Sequence, residues 1–344
     1  MQPPPAHWRL AASYPRGGYE LDQVFYLRHN VWLTGASATS NSAMAMDVDF
    51  GIILHHKHPF CNGHYYHIME CLLGLYAWTR EYGPGREPLV VVVDPSSYNA
   101  RLHDFFVSAL FPGAVIVTEG RVHLFAAVVA SKDGIGANPP LLAARLNKHL
   151  EHSVGVVGAW FPEFLAAVHA AAGASPRPRP ASPGEVRAVY VRRAMSLREL
   201  GDEDLARLAS VMLEEHGVAL EVVRFEAMTV EEQVRLSAGV DLMMGVYGNG
   251  LTNLLWMPPH GAVLELFAAD WHFYDYQMLS EISGHLYSGV QEGNPHPYRR
   301  GSRRESVYGM QTFGPTSLDW ELVSHELAFL LARIMACCGG PNEH

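Results

Sequence analysis

The sequence predicts an α/β protein built as two domains, and three observations carry that prediction. Apolar runs of strand length alternate with helix-period segments twice along the chain, as in parallel sheets covered on both faces. The stretch Gly173-Ala174-Ser175-Pro176-Arg177-Pro178-Arg179-Pro180-Ala181-Ser182-Pro183 interrupts the alternation and suits neither helix nor sheet, so it reads as a linker. Beyond it, the mostly apolar run Val240 to Met244 feeds Gly245-Val246-Tyr247-Gly248-Asn249-Gly250-Leu251-Thr252-Asn253, which reads as a strand, a tight glycine turn and the first turn of a helix.

The elements follow in order. Val24 to Arg28 and Gly51 to Leu54 read as short strands. Residues 64–80 read as a helix with Tyr66, Met69, Leu73 and Tyr76 on one buried face. Pro88 to Val93 is an apolar strand, Ser97 to Leu110 a helix, and Ala114 to Thr118 and Val122 to Ala130 are strands. Helical stretches follow at 140–152 and 156–172. After the linker, Val186 to Val191 is a strand. Asp202 to His216 is a helix capped by Asp202, and Leu220 to Phe225 a strand. Thr229 caps the helix that runs to Ala238. Pro258-Pro259 stops the segment after the glycine turn, and Ala262 to Leu266 is a buried strand. Ser317 to Ala336 is a long amphipathic helix. The boundaries are 1–174, a linker at 175–185, a second domain at 186–316, and the terminal helix at 317–344.

The chain has 344 residues, 49% of them hydrophobic, and a net charge of -10 that argues against a nucleic-acid partner. No apolar run reaches the ~18–20 residues of a transmembrane helix. The start, Met1-Gln2-Pro3-Pro4-Pro5, lacks a signal-peptide pattern. Cys61, Cys71, Cys337 and Cys338 fit neither a zinc ribbon nor a disulfide framework, which favours reduced thiols in a cytosolic protein.

Ligands of doubly wound domains sit outside the carboxyl ends of the strands. Two loops fall there: Arg192-Arg193 and the glycine turn. Gly248, Asn249, Gly250, Leu251, Thr252 and Asn253 are either an anion cradle at a helix start or a plain turn and cap. Leu251 is core on either reading. Glu265, read as ending its strand, either accepts both ribose hydroxyls of a nucleotide or pairs with an arginine. His55, His56, His58, Cys61, His64 and His67 crowd together without a standard zinc spacing, and Asp47-Val48-Asp49 is too common a tripeptide to mark a metal site. Arg299, Arg300, Arg303 and Arg304 form a basic loop: a weak contact for an anionic acceptor or membrane surface, or a solvated loop.

Four blocks of the chain resemble glycosyltransferase family 61. They are Val189-Tyr190-Val191-Arg192-Arg193 with Arg198; Phe225 to Gln233; Gly245 to Asn253; and Pro258 to Leu266. The segment Gly63-His64-Tyr65-Tyr66-His67-Ile68-Met69-Glu70 looks like a fifth, usually Gly-Asn-Tyr-Tyr-His-Phe. The family includes plant β-xylosyltransferases and arabinosyltransferases, animal O-linked N-acetylglucosaminyltransferases and bacterial capsule enzymes. The resemblance implies the GT-B architecture: two Rossmann-like domains facing a cleft, and a terminal helix crossing back to the first. It implies a UDP-sugar donor held mainly by the second domain, inversion at the anomeric carbon, a glycan or glycoprotein acceptor, no cofactor and no obligatory metal.

On that resemblance Arg192, Arg193 and Arg198 are diphosphate partners, their other reading being salt bridges to Glu199 and Glu203. Tyr247 to Asn253 cradle phosphate. His67 or His64 takes the acceptor's proton, with Glu70 orienting His67; each can equally be a structural histidine. The chain departs from the family at three places. Tyr247-Gly248-Asn249-Gly250 replaces His-Gly-Ala-Gly, His64 replaces Asn, and Asp202-Glu203 replaces Asn-Glu. A phenol at 247 stays neutral, with a pKa of ~10, but can donate to phosphate. Eukaryotic relatives are lumenal and anchored, so this chain is expected to be cytoplasmic and bacterial or viral, or else a truncated lumenal domain. Two further readings stay open: a nucleotide-sugar epimerase or dehydrogenase, against which stands the lack of an opening Gly-x-Gly-x-x-Gly fingerprint, and a non-catalytic binding protein.

Overall fold

The computed structural model describes residues 29–33, 45–55, 65–82, 85, 87–93, 98–118, 120–131, 150–193, 199–267, 273–299 and 318–336. The chain divides into two compact units, Met1–Val168 and His169–His344. Each carries a mostly parallel sheet with helices in the connections, the α/β class expected.

The first unit contains β1 (His29–Leu33), β2 (Ala45–His55), α1 (Tyr65–Tyr82), β3 (Val90–Val93), α2 (Ala100–Leu110), β4 (Val115–Val117) and β5 (Gly120–Ser131), and most of α3 (Leu150–Ala172). Its sheet order is β1-β5-β2-β3-β4, with β1 alone antiparallel. The expected strand Gly51 to Leu54 is the end of the longer β2. Tyr66, Met69, Leu73 and Tyr76 are all buried, as their spacing on α1 predicts. Tyr76 meets Phe164 edge-on at 5.5 Å and donates to Glu163 at 2.7 Å. The strand at Val24 to Arg28 and most of the helix at 140–152 lie outside the described residues.

The second unit contains β6 (Ala188–Val191), α4 (Asp202–His216), β7 (Leu220–Val223), α5 (Val230–Ser237) and β8 (Leu242–Val246). A 3-10 helix (Asn249–Trp256) follows, then β9 (Ala262–Phe267), α6 (Asp275–Ser283), β10 (Leu286–Gln291), β11 (Tyr298–Arg299) and α7 (Trp320–Met335). The order is β11-β10-β9-β8-β6-β7, parallel except for β11. Ala262, Leu264 and Leu266 face one core with Leu208 and Met212 of α4 and Leu327 and Leu330 of α7. The terminal helix, expected to cross back to the first domain, thus covers the sheet of its own unit.

Thr229 caps α5 through a capping box with Glu232. Asp202 does not cap α4. Gly201 holds that position and Asp202 is the first helical residue, its carboxylate drawn off to Arg192. The linker is tied down rather than loose. Arg177 N–H donates to the Ala238 carbonyl at 2.9 Å. Arg179 donates to the carbonyls of Ile334 and Ala336 at the end of α7, at 3.0 and 2.6 Å. Arg299 is not part of a solvated loop: it pairs with buried Glu326 at 2.7 Å and lies 4.0 Å over the Phe329 ring. Burial pushes the Glu326 carboxyl up, but donors from Arg299, Ser288 and His325 outweigh it and hold it below its ordinary value. Among the described residues no helix is long and apolar enough to cross a membrane.

Candidate functional site

In a doubly wound sheet a crevice opens where successive crossovers leave in opposite directions, outside the carboxyl ends of the strands. Here β7 lies on one side of β6, and the chain then crosses to β8 on the other. The switch point is therefore between β6 and β8. The loops leaving those two strands are Arg192-Arg193 and Tyr247-Gly248.

The glycines of the turn serve close packing. A Cβ on Gly245 would meet Val191 oxygen and Leu251 at 3.3 Å, one on Gly248 the Arg193 guanidinium at 2.6 Å, and one on Gly250 the Val191 Cγ1 at 2.6 Å. All three face the end of β6, so the turn can lie flat on it. Gly248 has φ 167°, open to any residue, so its requirement is room for Arg193.

The segment after the turn is a 3-10 helix where an α-helix start was expected. The Leu251 N–H bonds to the Gly248 carbonyl at 2.9 Å, and Asn253 Nδ2 donates to the Gly250 carbonyl at 3.1 Å. A side chain thus takes the acceptor that the next α-helical turn would use. Leu251, Thr252 and Asn253 are wholly buried. Asn253 also donates to Gln233 at 3.2 Å, fastening the segment to α5. Thr252 lies beside Tyr276. These three residues belong to the packing beneath the turn. Asn249 and Gly250 stay half-buried at its surface.

The two arginines differ. Arg192 pairs with Glu199 through Nε and with Asp202 through Nη2 at 2.8 Å, Asp202 taking the place expected for Glu203. Those bonds, Asp202 first, raise its guanidinium above the ordinary value. Arg193 lies across Gly248 and donates to the Tyr247 carbonyl in a long bond of 3.4 Å. Its charge also reaches Tyr276. Burial pushes that phenol well up, Asp275 and Glu265 push the same way, and Arg193 opposes them. Arg198 and His64 lie outside the described residues. His67 is in the first turn of α1.

Tyr247 donates its phenol proton to Asp275 Oδ2 at 2.8 Å and packs on Tyr276 and Phe273 with ring centroids 5.3 and 5.8 Å away. Glu265 is not the last residue of its strand. β9 runs on to Phe267 because Leu266 and Phe267 pair with Val290 and Gln291 of β10. Glu265 is fully buried, and its Oε2 accepts the Tyr287 hydroxyl at 2.7 Å. Its Oε1 is buried without a hydrogen-bond partner among the described residues. Burial drives its carboxyl well above the ordinary value, Asp275 adds to that, and Tyr287 opposes it.

Asp275, Tyr276 and Tyr287, absent from the sequence reading, sit on α6 and β10. Residues 275–282 are buried all round, so α6 shows no amphipathic stripe. The available signal was Gly284, which closes the helix at φ 77°.

No curated protein matches the chain. A similarity to a solved structure, the glycosyl transferase family 9 from Veillonella parvula DSM 2008, has a TM-score of 0.34 at 8% identity and covers 72% of this chain and 88% of that one. A family model, Glycosyltransferase 61, matches residues 65–264, more than half of the chain. The chain belongs to glycosyltransferase family 61.

Proposed function

We propose that the protein transfers a sugar from a UDP-sugar to a hydroxyl of a glycan or glycoprotein, with inversion, in a GT-B arrangement and without a metal ion. The sugar of this proposal is xylose or N-acetylglucosamine. The observation that carries this reading is the Arg193 guanidinium lying across a turn with no side chain at Gly248, at the switch point between β6 and β8. The diphosphate belongs there. As the acceptor oxygen bonds to the anomeric carbon, the bond from that carbon to the β-phosphate oxygen breaks, and its electron pair leaves with UDP. A fixed guanidinium stabilises the charge that grows on the phosphate. Glu265 Oε1, a buried oxygen lacking a partner among the described residues, is the group we assign to the ribose hydroxyls. His67, or His64 before it, takes the acceptor's proton, as imidazole suits near neutral pH.

The test is thermal shift against UDP-, GDP- and CMP-sugars, with and without EDTA. At a hundredfold excess over Kd, UDP and one UDP-sugar should raise Tm by about 5–10 °C, unaffected by EDTA. No shift with any nucleotide would overturn the reading. Equal affinity for UDP and 2′-deoxy-UDP would remove Glu265 from the ribose.

A further inference from the structure

The loop that leaves β7, Arg224 to Met228, is fastened to the segment behind the glycine turn. Buried Gln233 donates to the Phe225 carbonyl at 2.9 Å and accepts from Asn253 Nδ2 at 3.2 Å. Phe225 is buried too, and a Cβ on Gly250 would stand 3.8 Å from its ring. Val191 and Val223 are register partners, and the Arg192 N–H donates to the Val223 carbonyl at 2.9 Å. Arg224 therefore stands beside Arg192 at the carboxyl end of β7, on backbone that the Gln233 bridge holds in place.

Its side chain differs from its neighbours'. Arg224 is exposed and, among the described residues, has no hydrogen bond, ion pair or ring contact. Every other described arginine of the second unit pairs with a carboxylate, donates to a main-chain carbonyl or lies over an aromatic ring. Arg187, at the opposite end of β6, is typical in pairing with Glu221 at 3.1 Å. The chain has acids in excess, with a net charge of -10, yet the fold brings none of the described ones to Arg224.

With the ribose at Glu265 on β9 and the diphosphate between β8 and β6, a nucleotide sugar runs along the strand ends towards β7. The transferred sugar comes next and the acceptor beyond it. A guanidinium fork matches a carboxylate, and in a glycan a uronic acid supplies one. We propose that Arg224 binds the carboxylate of a uronic acid in the acceptor, so that the protein glycosylates an acidic glycan.

The proposal rests on the donor-site reading above, and the experiment separates the two. Calorimetry at low salt would measure UDP alone. With UDP present it would then compare oligosaccharides of hyaluronan, glucuronoxylan, polygalacturonate and alginate, each beside its carboxyl-reduced form. The proteins are the wild type, Arg224→Gln, Arg224→Lys and, as a control, Arg187→Gln, each checked by its melting curve. At least one acidic oligosaccharide should bind the wild type about tenfold more tightly than its reduced form, the scale of a charged hydrogen bond. Arg224→Gln should abolish that preference. Arg224→Lys should keep part of it, since an ammonium retains the charge but not the fork. Arg187→Gln should keep all of it, and UDP affinity should stay within about twofold throughout.

No preference in any of the four pairs would overturn the proposal, as would a preference that Arg187→Gln loses equally. UDP-glucuronate outbinding UDP-glucose on the wild type but not on Arg224→Gln would place the carboxylate on the transferred sugar, and the acceptor assignment would fall. Loss of UDP itself in Arg224→Gln would make Arg224 a phosphate partner. A folded wild type that binds neither UDP nor any UDP-sugar would sink the donor-site reading instead.

Discussion

Arg192 and Arg193 carry the same side chain into opposite circumstances. Arg192 is committed to Glu199 and Asp202, while Arg193 spreads over a glycine. Arg193→Ala should therefore weaken UDP binding at least about tenfold, the scale of a lost charged hydrogen bond. Arg192→Ala should cost affinity much less, and calorimetry on both variants checks the contrast. Sequence showed that both arginines stand at a strand end, but not which one finds acids, because the register that brings Asp202 to Arg192 is tertiary. Glu265 makes a second prediction. Its folded carboxyl is held above the ordinary value, so the folded state binds that proton more tightly than the unfolded state. The stability this gives is complete below an unfolded pKa of ~4.3 and is lost as pH rises through the folded value. Glu265→Gln should flatten that loss and melt at least about 2 °C above the wild type at pH 8, in melting curves recorded without ligand from pH 4 to 9.

At the scale of elements, variants of the glycine turn should separate packing from the proposed binding. In Gly248→Ala the new methyl meets the far end of a flexible arginine, which can move aside. Tm should stay within about 2 °C while UDP affinity falls. In Gly250→Ala the methyl meets a stiff valine on β6, and overpacking of this kind costs about 1–3 kcal/mol. Its defect should appear in the melting curve before it appears in binding. Thr229→Ala, which opens the capping box of α5, should cost about 1 kcal/mol in denaturant unfolding. These elements were legible where local chemistry decides them: the apolar run of β8, the cap at Thr229, the turn itself. The 3-10 form of Asn249–Trp256 was not, because it depends on Asn253 reaching Gln233 from another element. Nor was β10, whose Leu-Tyr-Ser-Gly-Val-Gln carries too few apolar residues to announce a buried strand.

At the scale of the molecule, two α/β units and a proline-rich boundary region were visible in the alternation of the sequence. The tie from Arg179 to the end of α7 was not, since the two partners lie far apart in the chain. His67→Ala should fold, keep UDP affinity and lose turnover at least about a hundredfold if its imidazole is the base. Full turnover on a true acceptor would exclude it. The flat turn on β6 also bears on how such a protein can change its preferences. Where Gly248 and Gly250 lie against β6 there is no side chain to vary, and adding one displaces Arg193 or collides with Val191. Selection can therefore do little at the cradle without breaking it. The room for change lies instead at positions 247 and 249, where this chain already carries Tyr and Asn in place of the family's usual His and Ala, so relatives should diverge there while Gly248 and Gly250 stay as they are.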